Sequence, residues 1–188
     1  MSKPPRMTDK QKLGLFGEEL VVRMCSCPRC KRSKTLKRLG PNFKCADVIC
    51  DFCGYLAQVK TTKKSSVERI PSEIAGAAWK PHNERMSAGI YFPLFLVLVN
   101  ECDQRNYAIY YLSADLQNAG MFQPRNPLQK GAGREGWIGF RYKLNSIKTS
   151  FVQLATGPST KASTSALANV VSPVSGRLPT RTPTSQPR

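Results

Sequence analysis

Two C-x2-C pairs, Cys27-Pro28-Arg29-Cys30 and Cys50-Asp51-Phe52-Cys53, stand nineteen residues apart in the chain. Each pair offers two thiolates from one tight turn, and two such pairs at this separation read as a closed, tetrahedral, structural zinc site. Around the second pair stand three residues with a different chemistry: Asp47 before it, Gln58 and Lys60 after it. A two-residue turn at Phe52-Cys53 sets Asp47 opposite Gln58 across a hairpin. The period of two along a strand then puts Gln58 and Lys60 on the face that Asp47 shares. A carboxylate and a second oxygen donor close to a lysine are the layout phosphodiester hydrolysis needs. The oxygens hold Mg2+, and the lysine holds or deprotonates a water and offsets transition-state charge.

The composition points to the same class of substrate. The chain has 188 residues and a net charge of +17, an excess that points to a polyanion, nucleic acid ahead of an anionic membrane surface. No run of eighteen apolar residues occurs, and the charged N-terminus has no apolar segment behind it, so neither a membrane span nor a secretory signal is expected. Seven cysteines, four of them in zinc spacing, favour a reducing compartment. The expectation is a soluble, cytoplasmic protein. The one histidine, His82, excludes nucleases that need a histidine pair and argues against a Cys-His-Asp triad.

These residues require a scaffold, and the patterning predicts an α/β one. Leu13, Phe16, Leu20, Val21 and Met24 recur at three- and four-residue steps, which predicts an amphipathic helix over 10–24 with Thr8-Asp9 as its cap. Residues 25–44 read as a basic loop clasped by zinc. Strands are expected over 43–50 and 54–62, a helix over 67–79, and strands over 90–100 and 106–112, the first apolar enough to be central. A short capped helix at 113–117, a loop over 120–140 and one or two strands over 140–154 complete the folded part. After about Ala155 the chain turns to Ser, Thr, Pro and Ala with scattered Arg, the composition of a disordered cationic tail. Three units follow: a disordered 1–9, a folded domain 10–154, and a disordered tail 155–188.

Asp47 followed by Gln58-Val59-Lys60 resembles the PD-(D/E)xK nuclease signature, with Gln at the second acid's position. The setting is more specific. Cys27-Pro28-Arg29-Cys30, Ala46-Asp47-Val48-Ile49-Cys50-Asp51-Phe52-Cys53, Gln58-Val59-Lys60 with Lys63-Lys64, the helix carrying Gln11-Lys12 and Gly17-Glu18, and Arg134-Glu135-Gly136-Trp137-Ile138-Gly139 together resemble the catalytic domain of the DpnI-type (dam-replacing) methyl-directed restriction endonucleases. The resemblance covers about Lys10 to Phe140. It implies a PD-(D/E)xK core stiffened by zinc, with Mg2+ as catalytic cofactor, acting as a type II site-specific deoxyribonuclease of a bacterial restriction system. The partner would be double-stranded DNA carrying adenine-methylated GATC, not a small molecule or a membrane. Asp47 matches the first metal-binding acid, Lys60 the catalytic lysine, and Trp137 an aromatic of the DNA-reading loop, where a flat apolar face can sense a methyl group.

Each of these residues also has a plainer reading. Glu18, Glu68 and Glu73 are the candidates for a second carboxylate, and Glu18 beside Glu19 could equally be a surface residue. Lys63, Lys64 and Arg134 are expected to contact DNA, yet a solvated basic face would look the same. Cys25, Cys45 and Cys102 read as buried small residues, with Cys25 a possible substitute for Cys27 in the zinc site. Trp79 reads as core; Trp137, flanked by glycines, reads as a binding surface. Two rival functions stand beside the nuclease: a DNA-binding relative inactivated by the acid-to-Gln change, and a zinc-ribbon module docking to RNA or a ribosome.

Overall fold

In the computed structural model, residues 7–40, 43, 46–131 and 133–158 are described. The first helix, α1, runs Asp9–Met24 and opens on a capping box: the Thr8 side chain accepts from the Gln11 N–H while the Gln11 side chain accepts from the Thr8 N–H. This satisfies two of the orphan donors of the first turn. The strands follow as β1 (Leu36–Arg38), β2 (Val48–Cys50), β3 (Leu56–Lys64) and β4 (Glu73–Ala78). Helix α2 (Trp79–Ser87) then leads to β5 (Leu94–Asn100), β6 (Tyr107–Leu112), β7 (Phe122–Pro124), β8 (Gly139–Lys143) and β9 (Val152–Thr156).

The strands make two sheets, one of six strands in the order β1-β2-β3-β5-β6-β9 and one of three in the order β4-β8-β7. Among the described residues β3 and β5 pair in parallel, and all other pairs are antiparallel. The chain segment joining those two parallel strands carries β4 and α2. β5 lies at the centre with six of its seven residues buried, which is why its sequence is an unbroken apolar run rather than an alternation. One face of the large sheet (Val59, Phe95, Val97, Ile109) packs against Leu20 and Val21 of α1. The other (Leu94, Leu96, Leu98, Tyr110, Leu112) packs against Ile74, Phe122, Phe140 and Tyr142 of the small sheet.

Several expectations are corrected. The helix predicted over 67–79 is a loop followed by β4, and the helix begins at Trp79, the last residue of that span. The alanine-rich run Glu73–Ala78 has helical propensity, but pairing decides otherwise: Glu73 meets Lys143 across the strands, and a Cβ on Gly76 would lie 2.4 Å from the Phe140 ring. Tertiary packing overrides local propensity here. The basic loop over 25–44 contains β1, whose Leu36 is buried opposite Cys50. The loop over 120–140 is largely the far end of the β7–β8 hairpin, with Arg125 N–H on Gly139 O at 2.8 Å and Leu128 N–H on Trp137 O at 3.0 Å. The short helix at 113–117 is a 3-10 turn, Ala114–Leu116. The last strand extends to Thr156, past the boundary expected at 154; residues 159–188 of the expected tail and 1–6 of the expected disordered N-terminus lie outside the described residues.

α1 sits unusually close to β3. A Cβ built on Gly17 would lie 1.8 Å from Thr61 Oγ1 and 2.9 Å from both Thr61 Cβ and Cγ2. Rotating Thr61 exchanges one clash for another, since its side chain is branched at Cβ. Ala is ordinarily favoured over Gly within a helix by about 0.5–1 kcal/mol; here the sign should reverse. Gly17→Ala should destabilise the fold by about 1–3 kcal/mol, read as a lower urea midpoint at unchanged slope. An equal or higher midpoint would mean that α1 can stand off β3 at no cost.

Candidate active site

The site is built on a clasp of four cysteines. α1 ends at Met24, and the next turn carries Cys27 and Cys30; Cys50 closes β2, and Cys53 lies in the turn into β3. Cys27 and Cys53 sulfurs are 3.7 Å apart, as are those of Cys30 and Cys50, and all four lie within 4.8 Å of one another. Thiolates at about 2.3 Å from a tetrahedral zinc would be separated by about 3.8 Å, so the donor set and its spacing fit the metal. Burial raises the pKa of Cys27 and Cys53, whereas Cys50 is drawn toward thiolate. Burial opposes ionisation of Cys50, but the Thr35 hydroxyl and the N–H groups of Cys53 and Phe52 outweigh it and draw the thiol down to about 6. Cys25 is not one of the four; it is buried in the core, and that burial pushes its thiol up to about 11. Cys102, expected to be buried, is exposed, and Cys45 lies outside the described residues.

The clasp fixes the hairpin on which Asp47 stands. β2 and β3 pair Val48 with Ala57 and Ile49 with Leu56, the register that a turn at Phe52-Cys53 predicts. Asp47 is held by its backbone on both sides, its N–H on Ala57 O and its C=O accepting from Leu39 N–H, both at 2.9 Å. Its Oδ2 accepts from the Val59 N–H at 2.7 Å and lies 3.9 Å from Lys60 Nζ. Gln58 and Lys60 share the other face of β3, paired with Leu94 and Leu96 and turned toward the small sheet.

Glu18 comes to this group from α1. Burial first, and then the Asp47 carboxylate, raise its pKa above the ordinary value; Arg38 and Lys60 only partly offset them. The Arg38 guanidinium lies 3.8 Å from Glu18 Oε2. Of the three candidate acids, Glu18 is the one whose field reaches Asp47. Glu73 is committed to Arg141 and Lys143 on β8, and Glu68 is exposed on the β3–β4 connection. Two acids that repel each other, beside a lysine, offer carboxylate oxygens of the kind a hard divalent cation takes.

Other candidates fall elsewhere. Lys63 and Lys64 end β3, beyond Lys60, with Lys63 exposed. Arg134 is exposed on the β7–β8 hairpin. Trp137 is half-buried, not free: its ring covers Gly139, where a Cβ would lie 2.7 Å from it. No hydrogen bond or ion pair among the described residues ties these four to the Asp47 group. Two neighbours of the site gave no sequence signal. The Tyr142 hydroxyl, on β8, donates to Gln58 Oε1. His82, on α2, stacks on Phe140 with ring centroids 4.2 Å apart, and burial, aided by Arg85 and Lys60, lowers its pKa to about 4.

The Dam-replacing family, that of DpnI, matches residues 6–166, most of the chain. The chain belongs to this family, and membership implies a methyl-directed restriction endonuclease with DNA as its partner. No curated protein matches the chain. No helix among the described residues is long and apolar enough to cross a membrane.

Metal analysis of the purified protein should find about one zinc per chain, as one closed four-thiolate site holds one ion. Cys53→Ser should release it and lower the melting temperature by several degrees or more, followed by circular dichroism. A Cys53→Ser protein that melts like the wild type without zinc would leave the clasp without a structural role.

Proposed function

We propose that this chain is a Mg2+-dependent endonuclease with a PD-(D/E)xK-type core that cuts double-stranded DNA at adenine-methylated, GATC-like sites. The observation that carries this reading is the cavity that Glu18 and Asp47 line together, with Lys60 Nζ 3.9 Å from Asp47 Oδ2. Family membership supplies the class of substrate. A cation bound between the acids would polarise the scissile phosphoryl group and lower the pKa of a coordinated water. Asp47, Glu18 and the Gln58 carbonyl oxygen are the groups that would hold it. Asp47 is presented with its second carboxylate oxygen fixed by Val59 N–H, so little reorganisation accompanies binding.

Lys60 stands where its ammonium can orient the attacking water and offset charge on the phosphoryl oxygens. Lys63, Lys64 and Arg134 add sequence-independent phosphate contacts. Trp137 reads the methyl group, since a methyl group offers no hydrogen bond and must be sensed by apolar surface. Four thiolates hold the structural zinc, and the unit from α1 through β9 (Asp9 to Thr156) forms the nuclease. Loss of the second acid to Gln58 would suggest an inactive relative, but Glu18 restores a second negative charge at the site. A zinc-ribbon module docking to RNA would leave the Asp47–Glu18–Lys60 group unexplained.

Cleavage of paired methylated and unmethylated duplexes, with and without Mg2+, tests the reading. Asp47→Ala and Lys60→Ala should each reduce cleavage by at least about 100-fold, the loss expected when a metal ligand or a transition-state charge is removed. Their DNA affinity should stay within about threefold, because binding rests mostly on phosphate contacts elsewhere. Full cleavage by either variant would end the assignment of the site. Trp137→Ala should narrow the ratio of methylated to unmethylated cleavage while leaving nonspecific binding nearly unchanged; an unchanged ratio would remove Trp137 as the reader.

A further inference from the structure

The two cysteine turns are built alike. In the first, Lys31 N–H donates to Cys27 O and Cys27 N–H donates to Arg32 O, both at 2.9 Å. In the second, Gly54 N–H donates to Cys50 O at 2.9 Å and Cys50 N–H to Tyr55 O at 2.8 Å. Lys31 and Gly54 therefore hold equivalent positions, each directly after its second cysteine. Both take a left-handed backbone, with φ of 61° and 69°. Glycine adopts that conformation freely, whereas any other side chain brings its Cβ too close to a carbonyl oxygen. One turn uses glycine and the other uses lysine. Lys34, three residues on, repeats the choice with φ of 61°.

Both strained lysines are exposed, as are Arg29 and Arg32 beside them. No Asp or Glu occurs from Cys25 to Lys44, and the carboxylates that approach this segment go elsewhere: Asp51 lies 3.7 Å from Lys37, while Glu18 and Glu19 face Arg38. The Arg32 guanidinium is 3.5 Å from the centroid of the exposed Phe52 ring, a contact that holds it on the same surface. Cys50 stands three residues beyond Asp47 along β2, about 10 Å of extended chain and about the rise of three base pairs. A duplex seated at Asp47 is long enough to pass the cysteine turns.

We propose that Lys31 and Lys34 are phosphate contacts for the duplex flanking the cleavage site, kept as lysines at a cost in stability. The inference deepens the proposed function: it rests on DNA as the substrate but not on the metal site. A lysine ammonium meets a phosphate as a compact point charge, and the counterions it displaces make the contact independent of sequence and sensitive to salt.

The test sets stability against binding. Lys31→Gly and Lys34→Gly should each raise the melting temperature by about 2–4 °C, since each removes the strain, with zinc content unchanged. Binding of the full chain to a duplex several turns long is followed by fluorescence anisotropy without Mg2+ over a range of salt. Each variant should bind about threefold to tenfold more weakly, and the slope of log K against log salt should flatten by about one. Lys31→Asn, whose side chain tolerates the same backbone, should lose as much affinity. Arg105→Gln takes one positive charge from the β5–β6 turn, at the end of β5 away from Gln58; with salt screening at that distance its affinity should change less than about twofold. Lysine variants that keep the wild-type salt slope, or that lose no more affinity than Arg105→Gln, would overturn the proposal and leave the nuclease standing; so would melting temperatures that do not rise. A wild-type chain without salt-dependent affinity for duplex DNA would overturn the proposed substrate, and this inference with it.

Discussion

Four sulfur atoms within 4.8 Å of one another join the end of α1 to the β2–β3 hairpin, and the chemistry of the molecule depends on that junction. Glu18 stands on the helix and Asp47 on the hairpin, and like charges at close range push their carriers apart. Neither short element would hold its place unaided: β2 has three residues, and Asp47 lies just outside it. The four-cysteine cluster at one end and the bare contact of Gly17 with Thr61 at the other leave α1 little freedom to relax away. Burial first, and the Asp47 carboxylate second, raise the pKa of Glu18.

The second sheet serves the same group from the other side. β4, β8 and β7 pack on β5 and β6 beside β3, and the Tyr142 hydroxyl of β8 donates to Gln58 Oε1. His82, stacked on Phe140 and held neutral by burial and by Arg85 and Lys60, adds no charge there. One face of β3 thus meets α1, and on the other Gln58 meets Tyr142. Lys60 lies close to Asp47, and its charge helps to lower the pKa of His82.

Much of this was legible in the sequence where chemistry and local geometry coincide. The thiolate spacing and the turn at Phe52-Cys53 together specify the Val48–Ala57 register, because a two-residue turn fixes which residues face each other. The helix cap at Thr8 and the apolar run of β5 were readable for similar local reasons. What was not legible depends on distant partners. Glu73–Ala78 reads as helix until β8 supplies Lys143 and Phe140. Glu18 is one acid of three until the glycine at 17 brings its helix down on Thr61. Tyr142 carries no signal at all, since only the packing of one sheet on another brings residues 84 positions apart into hydrogen-bond contact. The family match over 6–166 agrees with the motif reading and says nothing of these contacts.

The central claim is that Asp47 and Glu18 share one divalent cation. Crystals of the full chain grown with Mn2+ would test it most directly through an anomalous difference map. The account predicts a peak at about 2.2 Å from a carboxylate oxygen of Asp47 and of Glu18, a normal length for this ion's oxygen ligands, with the Gln58 carbonyl oxygen beside it. Well-ordered Asp47 and Glu18 side chains with no peak between them at saturating Mn2+ would contradict it.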